Sequence, residues 1–200
     1  MIIAVGLFER IGMKQEFYDV FADCPVIPAV KDEEGLEEVL KSDLQVVFVL
    51  YGDVCNISSI VERLKAAGKL VVVHLDLVGG LSAKEIAVDY IVKQTRADGI
   101  ISTKVNVCQR AFELGILSIY RVFLLDSRAI ESARKQAQSL NADIVEILPG
   151  AMPKVTKLMG KIFKRPIIAG GLIRDKEDVT DALDAGALCI STTNREVWKM

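Results

Sequence analysis

Short apolar runs alternate along the chain with stretches in which apolar and polar residues recur at helical spacing. Runs of about four to eight residues rich in Val and Ile are typical of strands that are buried on both faces. Eight such strands are predicted, at Pro25–Val30, Gln45–Tyr51, Leu70–Asp76, Gly99–Ser102, Leu117–Leu124, Ile144–Leu148, Pro166–Ala169 and Ala187–Ser191.

The stretches between these strands predict helices that begin and end at recognisable signals. They are Lys14–Ala22, a helix capped by Asp32 that runs through Lys41, Ser58–Ala67, Ala83–Gln94, Val105–Leu114, a helix capped by Asp126 or Ser127 that runs to Leu140, and Pro153–Phe163, with its proline in the first turn. Gly68, Gly115 and Gly186 each follow a helical stretch and act as stop signals.

Eight strand–helix repeats predict a parallel sheet that closes into a small (β/α)₈ barrel of the TIM type, preceded by an N-terminal helix. An open doubly wound sheet would need a glycine-rich turn after the first strand, whereas Val30–Gly35 is acidic. We therefore expect residues 1–200 to form one α/β barrel domain, with residues 1–13 as an N-terminal extension.

Composition narrows the class of protein. Half of the residues are hydrophobic (51%), but no apolar run approaches the roughly 18 residues that a membrane-spanning helix needs. The 4 cysteines are far apart and the chain has 1 histidine, which excludes ordinary zinc spacing and makes a disulfide framework improbable. A reducing cytoplasm fits this pattern. We expect no metal, no cofactor and no membrane partner.

Two segments near the C-terminus predict a phosphate site. Pro166-Ile-Ile-Ala-Gly-Gly-Leu-Ile173 and Ala185-Gly-Ala-Leu-Cys-Ile-Ser-Thr-Thr-Asn194 each run from a strand into small residues and the start of a helix. In parallel barrels the loops after the seventh and eighth strands commonly hold a phosphate. The predicted phosphate contacts are Gly170, Gly171, Ser191, Thr192 and Thr193.

Other polar residues at predicted strand ends are candidates for binding the rest of an anionic, hydroxylated ligand: His74, Asp76, Lys104 and Glu146. An alternative interpretation of His74 is a hydrogen-bonded histidine in the core. An alternative interpretation of Glu146 is a structural ion pair with Lys104 or Arg121. No nucleophile motif with recognisable local spacing is present, so no catalytic residue is predicted.

The helix that begins at Pro153 carries a run of cations without an acid. Helical spacing places Lys154, Lys157, Lys161, Lys164 and Arg165 within an arc of about 100°, opposite an apolar face. Such a run is usually a solvated face, but it is also suited to RNA phosphates. Arg174 and Arg195 are further candidates for this surface.

Several segments, taken in order, resemble one family. They are Gly52-Asp-Val-Cys-Asn-Ile57, His74-Leu-Asp-Leu-Val-Gly-Gly-Leu81, Ala97-Asp-Gly-Ile-Ile-Ser-Thr103, Phe123-Leu-Leu-Asp-Ser127, Glu146-Ile-Leu-Pro-Gly-Ala-Met-Pro-Lys154, Pro166–Ile173, Ser191-Thr-Thr-Asn194 and Trp198. The set, from about Phe17 to Trp198, resembles the glycerol-3-phosphate-responsive antiterminators, bacterial regulators of glycerol uptake and use.

This resemblance implies a cytoplasmic barrel protein without catalysis. Glycerol 3-phosphate would promote its binding to the leader mRNA of a glycerol-catabolism operon, and the bound protein would prevent termination of transcription. Two other classes stay open from the residues alone. One is a phosphosugar isomerase, epimerase or lyase, with Asp76 and Glu146 or Lys104 as its acid–base pair. The other is a metabolite sensor that binds a protein through the basic helix.

Overall fold

Eight parallel strands pair in chain order, and the sheet closes because β8 pairs with β1 as well as with β7. The computed structural model describes residues 15–200. The strands are β1 (Val26–Val30), β2 (Val46–Val49), β3 (Leu70–His74), β4 (Gly99–Ser102), β5 (Leu117–Phe123), β6 (Ile144–Leu148), β7 (Ile167–Gly170) and β8 (Cys189–Thr192). The (β/α)₈ barrel expected from the hydrophobic pattern is confirmed.

Helices occupy every strand-to-strand connection of the described chain, as right-handed parallel crossovers require. They are α1 (Gln15–Ala22), α2 (Glu33–Leu40), α3 (Ile57–Ala66), α4 (Glu85–Gln94), α5 (Val105–Glu113), α6 (Ser127–Gln136), α7 (Pro153–Phe163), α8 (Lys176–Asp184) and α9 (Arg195–Trp198). The predicted start of the first helix, Lys14, and the predicted extension at residues 1–13 lie outside the described residues.

Several element ends differ from the prediction by a few residues, and two of these differences have a local reason in the structure. Strand β3 stops at His74, because Leu75–Leu77 form a turn of 3₁₀ helix instead of continuing to Asp76. Helix α6 was expected to reach Leu140, but it ends at Gln136. There the N–H groups of Gln138 and Ser139 bond to carbonyls three residues back, which tightens the last turn and stops the α-helix.

Alternation along the strands divides the apolar residues into two layers. Val72 packs in the barrel interior with Ile27 and Phe48, whereas Val71 and Val73 pack outward against the helices. Burying one side chain of this size contributes about 1.5–3 kcal/mol. Because successive residues alternate, the interior series in β3 continues from Val72 to His74.

The amino end of the barrel is closed by α1. Phe21 is fully buried there, and its ring lies 6.4 Å from that of Phe48 in the interior. The opposite end, where the strands finish, is therefore the open mouth. Interior positions at that end are held by polar or small residues: His74 in β3, Arg121 in β5, Glu146 in β6, Gly170 in β7 and Ser191 in β8.

Candidate functional site

A buried ion pair spans the barrel interior just below the mouth. Arg121 and Glu146 are partners in the β5–β6 register, and Arg121 Nε donates to Glu146 Oε2 at 2.6 Å. Their side chains are 7% and 0% exposed. Ser191 Oγ donates to the other carboxylate oxygen at 2.5 Å. Of the two structural partners considered for Glu146, the structure has Arg121, and Lys104 is an exposed residue at the start of α5.

Gly170 is required by this ion pair. A Cβ at position 170 would lie 2.6 Å from Ser191 Oγ and 2.8 Å from Glu146 Oε1, closer than real Cβ contacts allow. The absence of a side chain therefore lets the carboxylate and hydroxyl reach the β7 backbone. This packing role is independent of any phosphate contact, which stays a prediction.

His74 is buried beside the ion pair, with only 4% of the residue exposed. Its Nδ1 atom has no hydrogen-bond partner in the described chain, which does not support the alternative of a fully hydrogen-bonded core histidine. Burial, and then the charge of Arg121, lower the pKa of His74 to about 4, although Glu146 and Asp76 act in the opposite direction. The imidazole is therefore neutral at pH 7.

Asp76 follows β3 and is fixed to the end of β4. Its Oδ1 accepts from Ser102 Oγ at 2.6 Å, and its Oδ2 accepts from the backbone N–H and the hydroxyl of Thr103 at 2.8 and 2.7 Å. Partial burial raises the pKa of Asp76, but these hydrogen bonds outweigh it and the pKa is lowered overall. Asp76 therefore holds two loops together, and its contact with a ligand stays a prediction.

The loop after β7 has an unusual backbone conformation and unpaired N–H groups. Gly171 and Leu172 have positive φ angles of 74° and 60°. Positive φ is uncommon for a leucine, and Leu172 is 60% exposed. Within residues 15–200, the N–H groups of Gly171, Leu172 and Ile173 make no hydrogen bond, and neither does that of Thr193 after β8. Free N–H groups on adjacent loops are suited to phosphate oxygens.

The predicted hydroxyl contacts divide between the two sides of β8. Ser191 faces the interior, whereas Thr192 faces outward, where its Oγ1 donates to the Ile173 carbonyl and accepts from the Asn194 N–H. A direct side-chain contact between Thr192 and a ligand in the mouth is therefore contradicted by the alternation of the strand. Thr193 is exposed at the rim.

The basic stretch is not one continuous helix face. Helix α7 ends at Phe163, and Lys164 adopts a left-handed conformation with φ of 51°. The arc expected for all five cations is therefore wrong for Lys164 and Arg165. Arg165 is half-buried and near Asp143, and burial lowers its pKa. The exposed lysines of α7 are Lys154, Lys157 and Lys161.

Helix α6 contributes a cation, Arg134, that the sequence did not indicate. A groove of about 630 Å³ between α6 and α7 is lined by Arg134, Lys161 and Lys164 together with apolar and neutral side chains. In residues 15–200, none of these three cations or of Lys154 and Lys157 forms an ion pair.

Arg174 and Arg195 lie near the mouth in different electrostatic settings. Arg174 is exposed in the loop after β7; its backbone N–H donates to the Asp178 carboxylate, but its guanidinium forms no ion pair in the described chain. Arg195 forms ion pairs with Asp32, Glu34 and Glu38 of the α2 region. Its guanidinium is therefore committed to α2, so the suggested place of Arg195 on an RNA surface is not supported.

The residue that sequence reasoning missed as part of the site is Arg121. The available signal was an arginine within the apolar run Leu117–Phe123, at the same alternation as the interior residues Leu117 and Ile119. No metal-like group of three or more His, Cys, Asp or Glu side chains occurs within residues 15–200. The same part of the chain contains no helix long and apolar enough to span a membrane.

The closed parallel sheet, with its buried polar groups at the mouth, defines a (β/α)₈ barrel protein. Residues 26–198 match the model of the family described as glycerol-3-phosphate responsive antiterminator. The chain therefore belongs to this family, as its sequence segments predicted.

Individual relatives are similar over most of the chain. The Escherichia coli K12 protein YgcP is 44% identical over 176 residues, which cover 88% of this chain and 92% of YgcP. The crystal structure of the glycerol uptake operon antiterminator regulatory protein of Listeria monocytogenes is similar with a TM-score of 0.85 and 34% identity, covering 87% of this chain and 94% of that protein. A glycerol uptake operon antiterminator-related protein of Thermotoga maritima is similar with a TM-score of 0.78 and 38% identity. The match covers 88% of this chain and 98% of that protein. Aldolases at 15–20% identity share the fold alone.

Proposed function

We propose that this protein is a cytoplasmic transcription antiterminator that responds to glycerol 3-phosphate and binds the leader mRNA of a glycerol-catabolism operon, preventing termination. The match of residues 26–198 to the antiterminator family carries this proposal. It requires an effector site and a separate RNA surface, and it requires no catalytic residue or cofactor.

The effector site is proposed at the mouth, with the phosphate on the backbone of Gly170, Gly171 and Ser191–Thr193. The free N–H groups of Gly171 and Thr193 support this position. The acid–base pair of an enzyme has less support. Glu146 already accepts hydrogen bonds at both oxygens, from Arg121 and Ser191, and Asp76 accepts three.

The RNA surface is proposed along α7 and the groove beside it. Some cations elsewhere in the described chain face acids, as Arg63 faces Glu33 and Arg110 faces Asp89, whereas α7 carries three exposed lysines along one helix. The exposed cations of α6 and α7 lack such partners, so they are available to phosphate groups. The proposed members are Lys154, Lys157, Lys161 and Lys164, with Arg134 from α6, Arg174 at the mouth and the half-buried Arg165 that follows Lys164.

A direct backbone contact joins the two proposed surfaces. Gly150, in the loop that leads into α7, donates its N–H to the carbonyl oxygens of Gly170 and Gly171 at 2.5 and 3.0 Å. A Cβ at Gly150 would lie 2.7 Å from β7 backbone atoms, so the two loops touch without intervening side chains. A ligand that orders the Gly171 loop would thereby bias the start of α7. A tenfold effect on RNA affinity needs about 1.4 kcal/mol of differential binding.

The test is a titration of the protein with the leader RNA of a glycerol-catabolism operon at fixed salt, with and without glycerol 3-phosphate. We expect binding to tighten at least about tenfold with the ligand. Absence of RNA binding in both conditions would overturn the antiterminator proposal. Turnover of a triose or pentose phosphate, lost in Asp76→Asn, would favour an enzyme instead.

The RNA surface has its own test. The double substitution Lys157→Glu and Lys161→Glu should abolish RNA binding and leave ligand affinity unchanged. A control with the same change of charge, Lys84→Glu and Lys93→Glu at exposed positions of the α4 region, should bind RNA as the original protein does. Unchanged RNA affinity in the α7 variant would exclude that surface.

A further inference from the structure

Two polar side chains in the barrel interior have hydrogen-bonding groups without a protein partner. Within residues 15–200, the Nδ1 atom of His74 is buried and has no hydrogen-bond partner. Arg121 donates through Nε to Glu146, and no described residue accepts from its two terminal nitrogens. Both residues face the interior at the mouth end, on β3 and β5.

Leaving the buried Nδ1 atom of His74 without a hydrogen-bond partner is costly. A buried donor or acceptor without a partner costs about 1–3 kcal/mol, and most buried polar groups in folded proteins are satisfied. The interior residue before it in β3, Val72, is apolar, so the packing of the strand does not itself require an imidazole here. The unmet groups therefore indicate a ligand that completes their hydrogen bonds.

The hydrogen-bonding properties of these two side chains indicate which kind of ligand group would bind them. The Arg121 guanidinium only donates, so its partner must accept. A neutral imidazole has one donor and one acceptor nitrogen, so a partner that suits either tautomer at Nδ1 must be able to donate and accept. An alcohol hydroxyl meets both requirements, whereas a carboxylate cannot donate to an unprotonated nitrogen.

The surrounding charges agree with a neutral group. Arg121 and Glu146 compensate each other, and Asp76 near His74 adds a negative charge. A second carboxylate would increase the negative charge in a buried space, and a hydroxyl would not. We propose that His74 and Arg121 form the specificity subsite for the diol of the effector. They would bind the hydroxyl next to its phosphate-bearing carbon. This proposal rests on the proposed function.

Glu146 is a positioning residue in this subsite. Its two oxygens are occupied by Arg121 Nε and Ser191 Oγ, so it fixes the guanidinium with its terminal nitrogens unpaired. This assignment replaces Asp76 and Lys104 as readers of the hydroxyls. Asp76 is bonded to Ser102 and Thr103, and Lys104 is exposed at the rim.

The test compares three probes by calorimetry: glycerol 3-phosphate, 1,3-propanediol monophosphate, which lacks the middle hydroxyl, and inorganic phosphate. We expect the protein to prefer glycerol 3-phosphate over the deoxy compound by about 100-fold, because buried polar groups are otherwise left unpaired. His74→Phe should reduce this ratio to below about tenfold without changing the affinity for inorganic phosphate. Arg121→Lys, which keeps the charge opposite Glu146, should also reduce it.

The outcomes separate the subsite from the proposed function. Equal affinity for the two organic phosphates, or a ratio unchanged in both variants, would overturn the subsite while the antiterminator proposal stands. No binding of any probe would overturn the effector site, and the subsite with it. Circular dichroism of each variant confirms that it is folded, and Arg121→Lys provides an independent reading if His74→Phe does not fold.

Discussion

The buried ion pair between Arg121 and Glu146 leads to a quantitative prediction about stability. In Glu146→Leu the carboxylate is lost from a position where it is 0% exposed, and Arg121 remains as a buried cation without a counter-charge. The Ser191 hydroxyl loses its acceptor in the same change. Breaking a buried pair in this way costs about 3–5 kcal/mol, a large share of the roughly 5–15 kcal/mol that stabilises a domain.

The measurement is urea denaturation at pH 7, followed by the fluorescence of Trp198, the only tryptophan of the chain and a buried residue. We expect Glu146→Leu to lower the midpoint with little change in the m-value. The control is Glu113→Leu, which removes a half-exposed partner of Arg110 and should leave the midpoint unchanged.

A double-mutant cycle decides whether the pair itself is responsible. Glu146→Leu combined with Arg121→Leu removes both charges, so it should be less destabilised than Glu146→Leu alone. If the loss of unfolding free energy in the double variant equals the sum of the losses in the two single variants, the two groups do not interact. A cost below about 1 kcal/mol for Glu146→Leu would refute the premise that Arg121 becomes an uncompensated buried charge.

Three further predictions follow from other residues of the site. His74 has a folded pKa of about 4 against an ordinary 6.5, so the unfolded chain binds the extra proton first. About 3 kcal/mol of stability should be lost as pH falls from about 6.5 to about 4, and an NMR titration of this single imidazole should show no protonation at pH 6. Gly170→Ala should destabilise the barrel by about 1–3 kcal/mol through overpacking, measured by denaturation, and Ser191→Ala in the same chain should recover part of the loss. Arg195→Ala should lower the melting temperature slightly and leave RNA affinity unchanged, because its guanidinium faces acids of α2; weaker RNA binding would contradict that assignment.

The fold was predictable because each strand has a local sequence pattern. A parallel barrel buries both faces of its strands, so Val- and Ile-rich runs mark them without reference to distant residues. Asp32 and Asp126 cap their helices as their positions indicated, each accepting from the N–H three residues on. Where the prediction failed, as at the end of α6, the outcome depended on i−3 hydrogen bonds that no residue pattern specifies.

The site was less predictable because it depends on which way each side chain points. Ser191 and Thr192 are adjacent hydroxyl residues and are equally plausible from the sequence. In β8, however, Ser191 faces the barrel interior and Thr192 faces outward. A shift of one residue in register reverses that choice. The strand boundary alone therefore located the mouth without resolving its lining.

Electrostatic partners were the other missing information. The sequence shows that Arg121 and Glu146 are both charged residues in apolar runs, 25 positions apart. They become neighbours only because β5 pairs with β6 in the sheet. Because both side chains are buried, each charge needs the other as its partner. The same reasoning separates Arg195 from Lys157. Both are cations near the proposed surfaces, but only the lysine is left without an acid by the fold, which makes its charge available to a partner.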